Sequence, residues 1–360
     1  MSSPDEPPTF EPPDWASEAR ISNLRANADR LSASSRAETL VLVEMAGMEP
    51  GLDVLDLACG SGDPTLEVAA RISPGGHVVG IDVSDGALGV ARERASRARL
   101  TNVEFQCANA EDLPFPEGTF DRAVSRFGAM YFEDLPRALH EVRRVLRPKG
   151  RITLMVWGPV DQPYFRCTLG VLVRHLGWSD LPKNQSAPFR FAERGELESE
   201  LANAGFTMVQ DQHRFPDWVG KGTPEEVREE WTSGAFYNRP LIDALSAPAR
   251  DRAWQEMAEG FRRFYDGESV RIPLNVRLIT AVRGRYEAPR SDFSTVKRPA
   301  RGTSSDLRNG VSFRRSSRDR HSGFDRGRVA LTKRGSPRRP SVSTGIGRVT
   351  RPRSCPHSGT

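Results

Sequence analysis

Short apolar runs alternate with segments of helical period between residues 53 and 157, and this alternation limits the fold of the chain. Five apolar runs have the length and composition of buried strands: 54–58, 78–83, 103–107, 120–125 and 151–157. Segments of helical pattern connect them at 65–72, 86–98 and 135–146. Strands that alternate with helices form a parallel sheet covered by helices on both faces. The sequence therefore predicts an α/β, Rossmann-like fold.

The regions on either side of this alternation complete the predicted domain, 17–282. A helical stretch, 17–47, comes first, and the spacing of Ser35 and Glu38 matches a capping box, which predicts that a helix begins again there. Two more strands are predicted at 206–214 and 272–282, with helical cover segments at 160–204 and 215–270. Seven strands and a cofactor-binding core at 53–157 are thus expected.

Charge is divided unevenly along the chain, which has a net charge of +5. Residues 283–360 hold 20 Lys and Arg against 5 Asp and Glu, which leaves 32 against 42 in residues 1–282. The expected domain is therefore acidic, and the composition argues against a basic, nucleic-acid-binding globule. No run of about 18 apolar residues exists, so no membrane span is expected.

The two ends of the chain are predicted to be disordered. Residues 1–16 are rich in Pro and acidic residues, and residues 283–360 form an Arg/Ser-rich tail without periodicity. In the tail, Arg outnumbers Lys 18 to 2, a bias typical of an altered reading frame in a GC-rich gene. A genuine nucleic-acid-binding tail is the alternative.

Cysteine usage bears on metal sites and on the cellular compartment. The cysteines at positions 59, 107, 167 and 355 are widely spaced and form no Cys-X-X-Cys pair. No zinc site is therefore expected. The first 13 residues lack the basic patch and apolar stretch of a secretory signal, so the cytoplasm is the predicted location.

A glycine-bearing turn follows the first predicted strand, in the sequence Cys59-Gly60-Ser61-Gly62-Asp63-Pro64. Gly60 and Gly62 permit a ligand to approach the backbone closely. Asp63 is the expected N-cap of the next helix, whose free N–H groups favour a negative group. A tight strand–helix connection without a ligand is the structural alternative for this turn.

A carboxylate, Asp82, ends the second predicted strand, 22 residues after Gly60. In doubly wound folds an acid at this position accepts hydrogen bonds from ribose hydroxyls. A charge at a helix N-terminus is its alternative role. Because the carboxyl ends of neighbouring parallel strands meet at one edge, Asp82 and the turn together predict a cofactor that contains adenosine.

The third glycine of a dinucleotide-binding turn is absent, and an acid, Asp56, precedes the turn. This combination resembles motif I of the class I S-adenosylmethionine-dependent methyltransferases. Residues 106–116, followed by Thr119-Phe120-Asp121, resemble the adenine-side loop of the ubiquinone/menaquinone-biosynthesis branch, the methyltransferase type 11 domain. Residues 127–128 and 144–151 are similar to the same branch. The resemblance covers residues 53–157 and, in less detail, extends to Val282.

The resemblance implies a cofactor, a sheet topology and a site. It implies S-adenosylmethionine as cofactor, a small-molecule methyl acceptor such as a quinone-like or other secondary metabolite, and an antiparallel last strand. Gly60, Ser61 and Gly62 would line the methionine and ribose, and Asp82 would bind the ribose hydroxyls. Asn109 and Ala110 would contact the adenine. The full set of candidate cofactor-binding residues is Asp56, Ala58, Gly60, Ser61, Gly62, Asp82, Asn109, Ala110 and Arg126.

Arg126 departs from the family pattern, which commonly has a small hydroxyl residue there, so the acceptor need not be a quinone. The sequence identifies no catalytic base: His140 is expected on the polar face of its helix. A nicotinamide-dependent oxidoreductase and a non-catalytic cofactor-binding protein stay as alternatives. A nucleic-acid methyltransferase is disfavoured, because residues 125–128 read Ser-Arg-Phe-Gly and lack an Asn-Pro-Pro-Tyr-type motif.

Overall fold

The computed structural model describes residues 14–181, 187–234 and 238–284. The first 13 residues, and the predicted tail beyond residue 284, lie outside the described residues. Among the helices that are described, each is too short or too polar to cross a lipid bilayer.

Nine strands are present within the described ranges: β1 (Asp53–Leu57), β2 (His77–Asp82), β3 (Val103–Cys107), β4 (Phe120–Arg126), β5 (Leu146–Trp157), β6 (Phe206–Arg214), β7 (Asp217–Lys221), β8 (Ser269–Pro273) and β9 (Val276–Arg283). Seven of them form the central sheet in the order β3-β2-β1-β4-β5-β9-β6. Neighbours from β3 to β5 pair in parallel, whereas β9 is antiparallel to both β5 and β6. The predicted Rossmann-like, mostly parallel sheet with an antiparallel last strand is confirmed.

The helices of the described part are α1 (Glu18–Ser34), α2 (Arg36–Met45), α3 (Thr65–Arg71), α4 (Asp85–Arg97), α5 (Leu135–Val145), α6 (Pro163–Cys167), α7 (Leu169–His175), α8 (Glu196–Asn203), α9 (Pro224–Gly234), α10 (Arg239–Ala244) and α11 (Ala247–Arg262). One face of the sheet packs against α5 and α8, and the other packs against α2 and α3. Alternation along β1 explains the division: Leu55 and Leu57 face α5, while Val54 faces α2 and α3.

The cover of the sheet contains strands as well as helices. The sequence predicts helix over 215–270, and the structure adds β7 there, paired antiparallel with β8 in a separate two-stranded sheet. The single strand predicted at 272–282 is correspondingly divided into β8 and β9. Pro273 ends β8, because a proline has no N–H to donate to a continuing ladder. Trp218 and Ile272, opposite each other in this small sheet, join the apolar core of the cover.

Helix α2 runs along β4 and brings its first turn to the edge of the sheet where the parallel strands end. At the start of β4, the Arg122 Nε donates to the carbonyl of Ala46, which follows α2. At the end of β4, the Arg126 Nη1 donates to Ser35 Oγ, just before α2, over 2.9 Å. A helix does begin again there, as predicted, and Ser35 is its N-cap residue, but the capping box is wrong because the Ser35 side chain makes no capping bond.

Candidate functional site

The turn after β1 has the open geometry that the glycines predict. Gly60 and Gly62 have φ values of +53° and +99°, and Ala58 also lies in the left-handed region, at +55°. A Cβ on Gly60 would meet nothing within 4 Å, so the space in front of this turn is open. A non-glycine residue in this conformation costs free energy and is most often found at functional sites.

Asp63 does not have the predicted N-cap role, because Pro64 occupies that position. Its carboxylate instead accepts hydrogen bonds from Ser32 Oγ of α1 (2.8 Å) and from Arg94 Nη1 of α4 (3.0 Å). The same Arg94 nitrogen donates to the carbonyl of Ser61, 2.6 Å away. Side chains from α1 and α4 thus hold the turn on one side, while the space in front of Gly60 stays open.

Asp82 joins the turn directly. Its Oδ2 accepts a hydrogen bond from the backbone N–H of Gly60, and its Oδ1 accepts one from the N–H of Ser84, each over 2.9 Å. Burial raises the pKa of Asp82, while these two bonds and the charge of Arg20 act against the shift. Each carboxylate oxygen can accept further hydrogen bonds, which suits a pair of ribose hydroxyls.

Asn109 and Ala110 follow β3 beside Asp82, since Cys107 is the register partner of Asp82 and the Ala108 N–H donates to the Asp82 carbonyl. The Asn109 side chain is exposed and its Oδ1 accepts from the Glu111 N–H, while Ala110 is buried. An exposed amide beside a buried methyl group provides a polar and an apolar contact at one end of the site.

The end of β4 packs against the turn after β1. Ser125 Oγ donates to the Leu57 carbonyl over 3.0 Å. A Cβ on Gly128 would lie 2.6 Å from the Ala58 Cβ, a distance that only glycine permits, and Phe127 has a φ of +58°. Arg126, the last residue of β4, is thereby held next to the open turn.

Asp56 lies beneath the turn and has no exposed surface. Thr65 Oγ donates to its Oδ2 over 2.5 Å. Burial raises the pKa of Asp56 to about 7, against the effects of the Thr65 hydrogen bond and the Arg126 charge. The structure therefore brings all nine predicted residues to one edge of the sheet, but it places Asp56 below the surface that a ligand would touch.

Sequence reasoning missed the contribution of the N-terminal segment. The Arg20 guanidinium lies over the Trp15 ring, 4.4 Å from its centroid, and Trp15 packs edge-on against Tyr131 with centroids 5.0 Å apart. Burial lowers the pKa of Arg20, and Asp82 and Tyr131 counter that shift by attraction. These residues lie near Asp82 and Tyr131, and no local sequence pattern distinguishes them from an ordinary helix start.

The donor set fits S-adenosylmethionine. Open space before Gly60 and the further acceptor capacity of Asp82 match an adenosine whose ribose lies against the turn. The absence of a third glycine is compatible with this cofactor because it has no pyrophosphate to contact a helix N-terminus. In the described ranges, no group of three or more His, Cys, Asp or Glu side chains is arranged to hold a metal ion.

Comparisons with known proteins agree with this geometry. Residues 54–150 match the family described as Methyltransferase domain. A demethylmenaquinone methyltransferase from Listeria welshimeri is 32% identical over 191 residues, which cover 50% of this chain and 80% of that protein. Nocamycin O-methyltransferase from Saccharothrix syringae is 37% identical over 214 residues, covering 56% of this chain and 76% of that protein. Among solved structures, YcgJ from Bacillus subtilis is 23% identical, covers 70% of this chain and 100% of its own, and has a TM-score of 0.45.

The family match begins in β1, contains the glycine turn, Asp82 and the end of β4, and stops in β5. The two relatives extend the similarity over most of their own length. The oxidoreductase alternative is therefore excluded, and the resemblance to methyltransferases is confirmed. From the site and these relatives together, we conclude that the chain belongs to the class I S-adenosylmethionine-dependent methyltransferases of the menaquinone type, with S-adenosylmethionine as its cofactor.

Proposed function

We propose that the protein transfers the methyl group of S-adenosylmethionine to a small-molecule acceptor, a quinone-like ring or another secondary metabolite. The observation that carries this proposal is the hydrogen bond between Asp82 and Gly60, which joins the two predicted halves of the cofactor site. The names of the two relatives support a small acceptor, since one is a demethylmenaquinone methyltransferase and the other is a nocamycin O-methyltransferase. The acidic balance of residues 1–282 disfavours a nucleic acid as acceptor.

The chain's own groups have three tasks in this reaction. When bound, S-adenosylmethionine supplies a methyl group that its sulfonium already activates. Asp82 would hold the ribose, Asn109 and Ala110 the adenine, and Gly60, Ser61, Gly62 and Arg126 the remainder of the cofactor. Such contacts fix the methyl group against the acceptor and keep water out, which supplies most of the catalysis that an activated methyl donor needs.

Aromatic rings beside the end of β4 suit an acceptor with an apolar ring. The rings of Phe127 and Trp157 stack with centroids 4.0 Å apart. The centroid of the Tyr164 ring lies 6.4 Å from that of Trp157 and 5.4 Å from that of Trp218. Pockets for such ligands are mostly apolar, with a few polar groups that fix orientation. We propose that the cover, segments 160–204 and 215–270, forms a partial cover over the acceptor site.

The domain limits and the location are proposals of the same kind. A methyltransferase domain at 17–282 is supported by α1, which starts at Glu18, and by β9, which ends at Arg283.

Cytoplasmic location stays a prediction, and labelling of fractionated cells with an antibody to the protein checks it.

Cofactor choice is the first testable prediction. S-adenosylhomocysteine should raise the melting temperature of the full chain, because a ligand that binds only the native state at a hundredfold excess over Kd stabilises it by about 2.7 kcal/mol. NAD serves as the control and should give no shift. A shift with NAD and none with S-adenosylhomocysteine would contradict the proposed function.

Turnover is tested by mass spectrometry of an extract of the source cells incubated with the enzyme and methyl-labelled S-adenosylmethionine. A labelled small molecule that depends on the enzyme is the expected product. Binding of S-adenosylhomocysteine without any labelled product would favour the non-catalytic alternative instead.

A further inference from the structure

Glu38, in the first turn of α2, is a buried carboxylate to which the proposed function gives no role. Only 1% of the residue is exposed. Its Oε2 is buried and makes no hydrogen bond within the described parts of the chain. Because α2 brings this turn to the carboxyl edge of the sheet, Glu38 lies on the same side of the sheet as the end of β4.

Two elements, β4 and α6, supply the charged or titratable groups that interact with this carboxylate. Arg126, at the end of β4, attracts Glu38 and also attracts Asp56 of β1. Tyr164 of α6 is close enough for the Glu38 charge to raise its pKa. The Tyr164 hydroxyl accepts a hydrogen bond from Trp231 Nε1 over 3.0 Å, and burial raises the pKa of Tyr164 to about 12, so it stays neutral.

Arg126 and the two carboxylates that it attracts each have a buried polar atom without a partner. Besides Glu38 Oε2, the buried atoms Arg126 Nε and Asp56 Oδ1 make no hydrogen bond with the residues that the structure describes. A buried polar atom without a partner destabilises the fold, so such atoms are rare and each calls for an explanation. They belong to three different elements, and because Asp56 lies beneath the turn, Glu38 Oε2 and Arg126 Nε are the two atoms that a ligand could partner.

The carboxylate also has the ionisation that proton transfer needs. Burial raises the pKa of Glu38 to about 7, and the Arg126 charge limits the rise. A base with a pKa near the working pH is partly ionised and still basic enough to take a proton. Tyr164, on which the Glu38 charge acts, stacks on Trp157 with ring centroids 6.4 Å apart, so Glu38 lies near the rings where an acceptor is proposed to bind.

We propose that Glu38 is the general base that removes the proton from an enolic or phenolic hydroxyl of the acceptor, an inference that rests on the proposed function. The O–H bond breaks and its proton moves to Glu38 Oε2. The freed electron pair, on the oxygen or on the ring carbon conjugated with it, forms the bond to the methyl carbon, while the electrons of the broken methyl–sulfur bond stay on sulfur. Where a phenolic ring carbon is methylated, its hydrogen then leaves as a proton and the oxygen is protonated again. Arg126 stabilises the negative charge that develops on the acceptor, and Glu38 returns its proton to water.

The substitution Glu38→Gln tests this role, with Glu44→Gln as the matched control. Both residues belong to α2, but Glu44 is exposed. The first measurement needs no acceptor: the melting temperature of the full chain is followed from pH 5 to 8. A glutamate has a pKa of about 4.3 in the unfolded chain, whereas burial raises the pKa of Glu38 to about 7 in the folded chain. Between these two pH values, the unfolded chain has lost the Glu38 proton and the folded chain still holds it.

Wild-type stability should therefore fall with rising pH relative to Glu38→Gln and level off above pH 7, while Glu44→Gln follows the wild type. Parallel profiles for the wild type and Glu38→Gln would show that Glu38 does not titrate in this range and would overturn the proposal. Because glutamine is isosteric and uncharged, the variant is expected to fold, which circular dichroism checks.

The second measurement is transfer of tritium-labelled methyl from S-adenosylmethionine into an organic extract of the source cells. Removing a general base should lower kcat by about 10²- to 10⁴-fold and abolish the rise of kcat through pH 7. Affinity for S-adenosylhomocysteine should stay within about twofold, since the ribose contacts remain. Wild-type turnover in Glu38→Gln would overturn the role of Glu38, whereas absence of transfer by the wild type itself would count against the proposed function.

Discussion

Replacing Arg277 with methionine should lower the free energy of unfolding by about 3–5 kcal/mol, the cost of breaking a buried ion pair by removing one partner. Arg277, in β9, has no exposed surface, and its guanidinium makes a bidentate pair with Asp211 of β6 at 3.0 and 2.9 Å. The same group contacts Glu198 of α8 at 2.5 Å and donates to the carbonyls of Phe191 and Glu193. Methionine would remove the buried positive charge that two carboxylates and two carbonyls share, and Asp211 would keep only its ion pair with the exposed Arg194.

The matched control is Arg194→Gln, which removes an ion pair to the same Asp211 at 3.3 Å. The Arg194 side chain is 65% exposed, so its loss should cost no more than about 1 kcal/mol. Urea unfolding of the full chain, followed by circular dichroism, measures both variants. Equal losses in the free energy of unfolding for the two variants would show that burial of Arg277 adds nothing to stability.

Replacing Asp82 with alanine should weaken binding of S-adenosylhomocysteine by about 10- to 150-fold. The ribose would lose charge-assisted hydrogen bonds worth roughly 1.5–3 kcal/mol, and the affinity follows from that free energy. Since Asp82 also accepts the Gly60 and Ser84 N–H groups, part of the effect arises from a less ordered turn. Asp82→Asn keeps one acceptor oxygen and should give an intermediate affinity.

Asp85→Ala is the control for charge at this end of β2. Asp85 begins α4, and its ion pair with Arg92 is exposed, so cofactor affinity should change little. Isothermal titration calorimetry gives the affinities, and circular dichroism checks that the fold is kept. Wild-type affinity in Asp82→Ala would assign Asp82 to the turn alone.

Asp82 and Arg277 differ in how much the sequence alone reveals about their contacts. The order strand, glycine turn, helix, strand predicted that Gly60 and Asp82 lie at one edge of the sheet, and the structure adds the hydrogen bond between them. Arg277 lies within a strand predicted from its apolar neighbours. Nothing near it in the sequence indicates that its charged side chain is buried. Its partners come from three segments, and only the packing of α8 and β6 on β9 brings them together.

The sequence by itself determined the α/β class, the order of strands and helices through residues 53–157, and the edge of the sheet that carries the site. These follow from periodicity over a few residues and from the rule that parallel strands end at a common edge. Strand β3 lies where it was predicted, and the bounds of β1, β2 and β4 differ by one residue.

The tertiary structure alone decided the roles of Ser35 and Glu38. Their spacing indicates a capping box, a local interaction worth about 1 kcal/mol. Arg126, 91 residues further along the chain, binds Ser35 and attracts Glu38 instead. Water can satisfy the N–H groups at a helix end, so the loss of the capping bond costs little, whereas the half-buried Arg126 gains a partner in Ser35 Oγ for its Nη1.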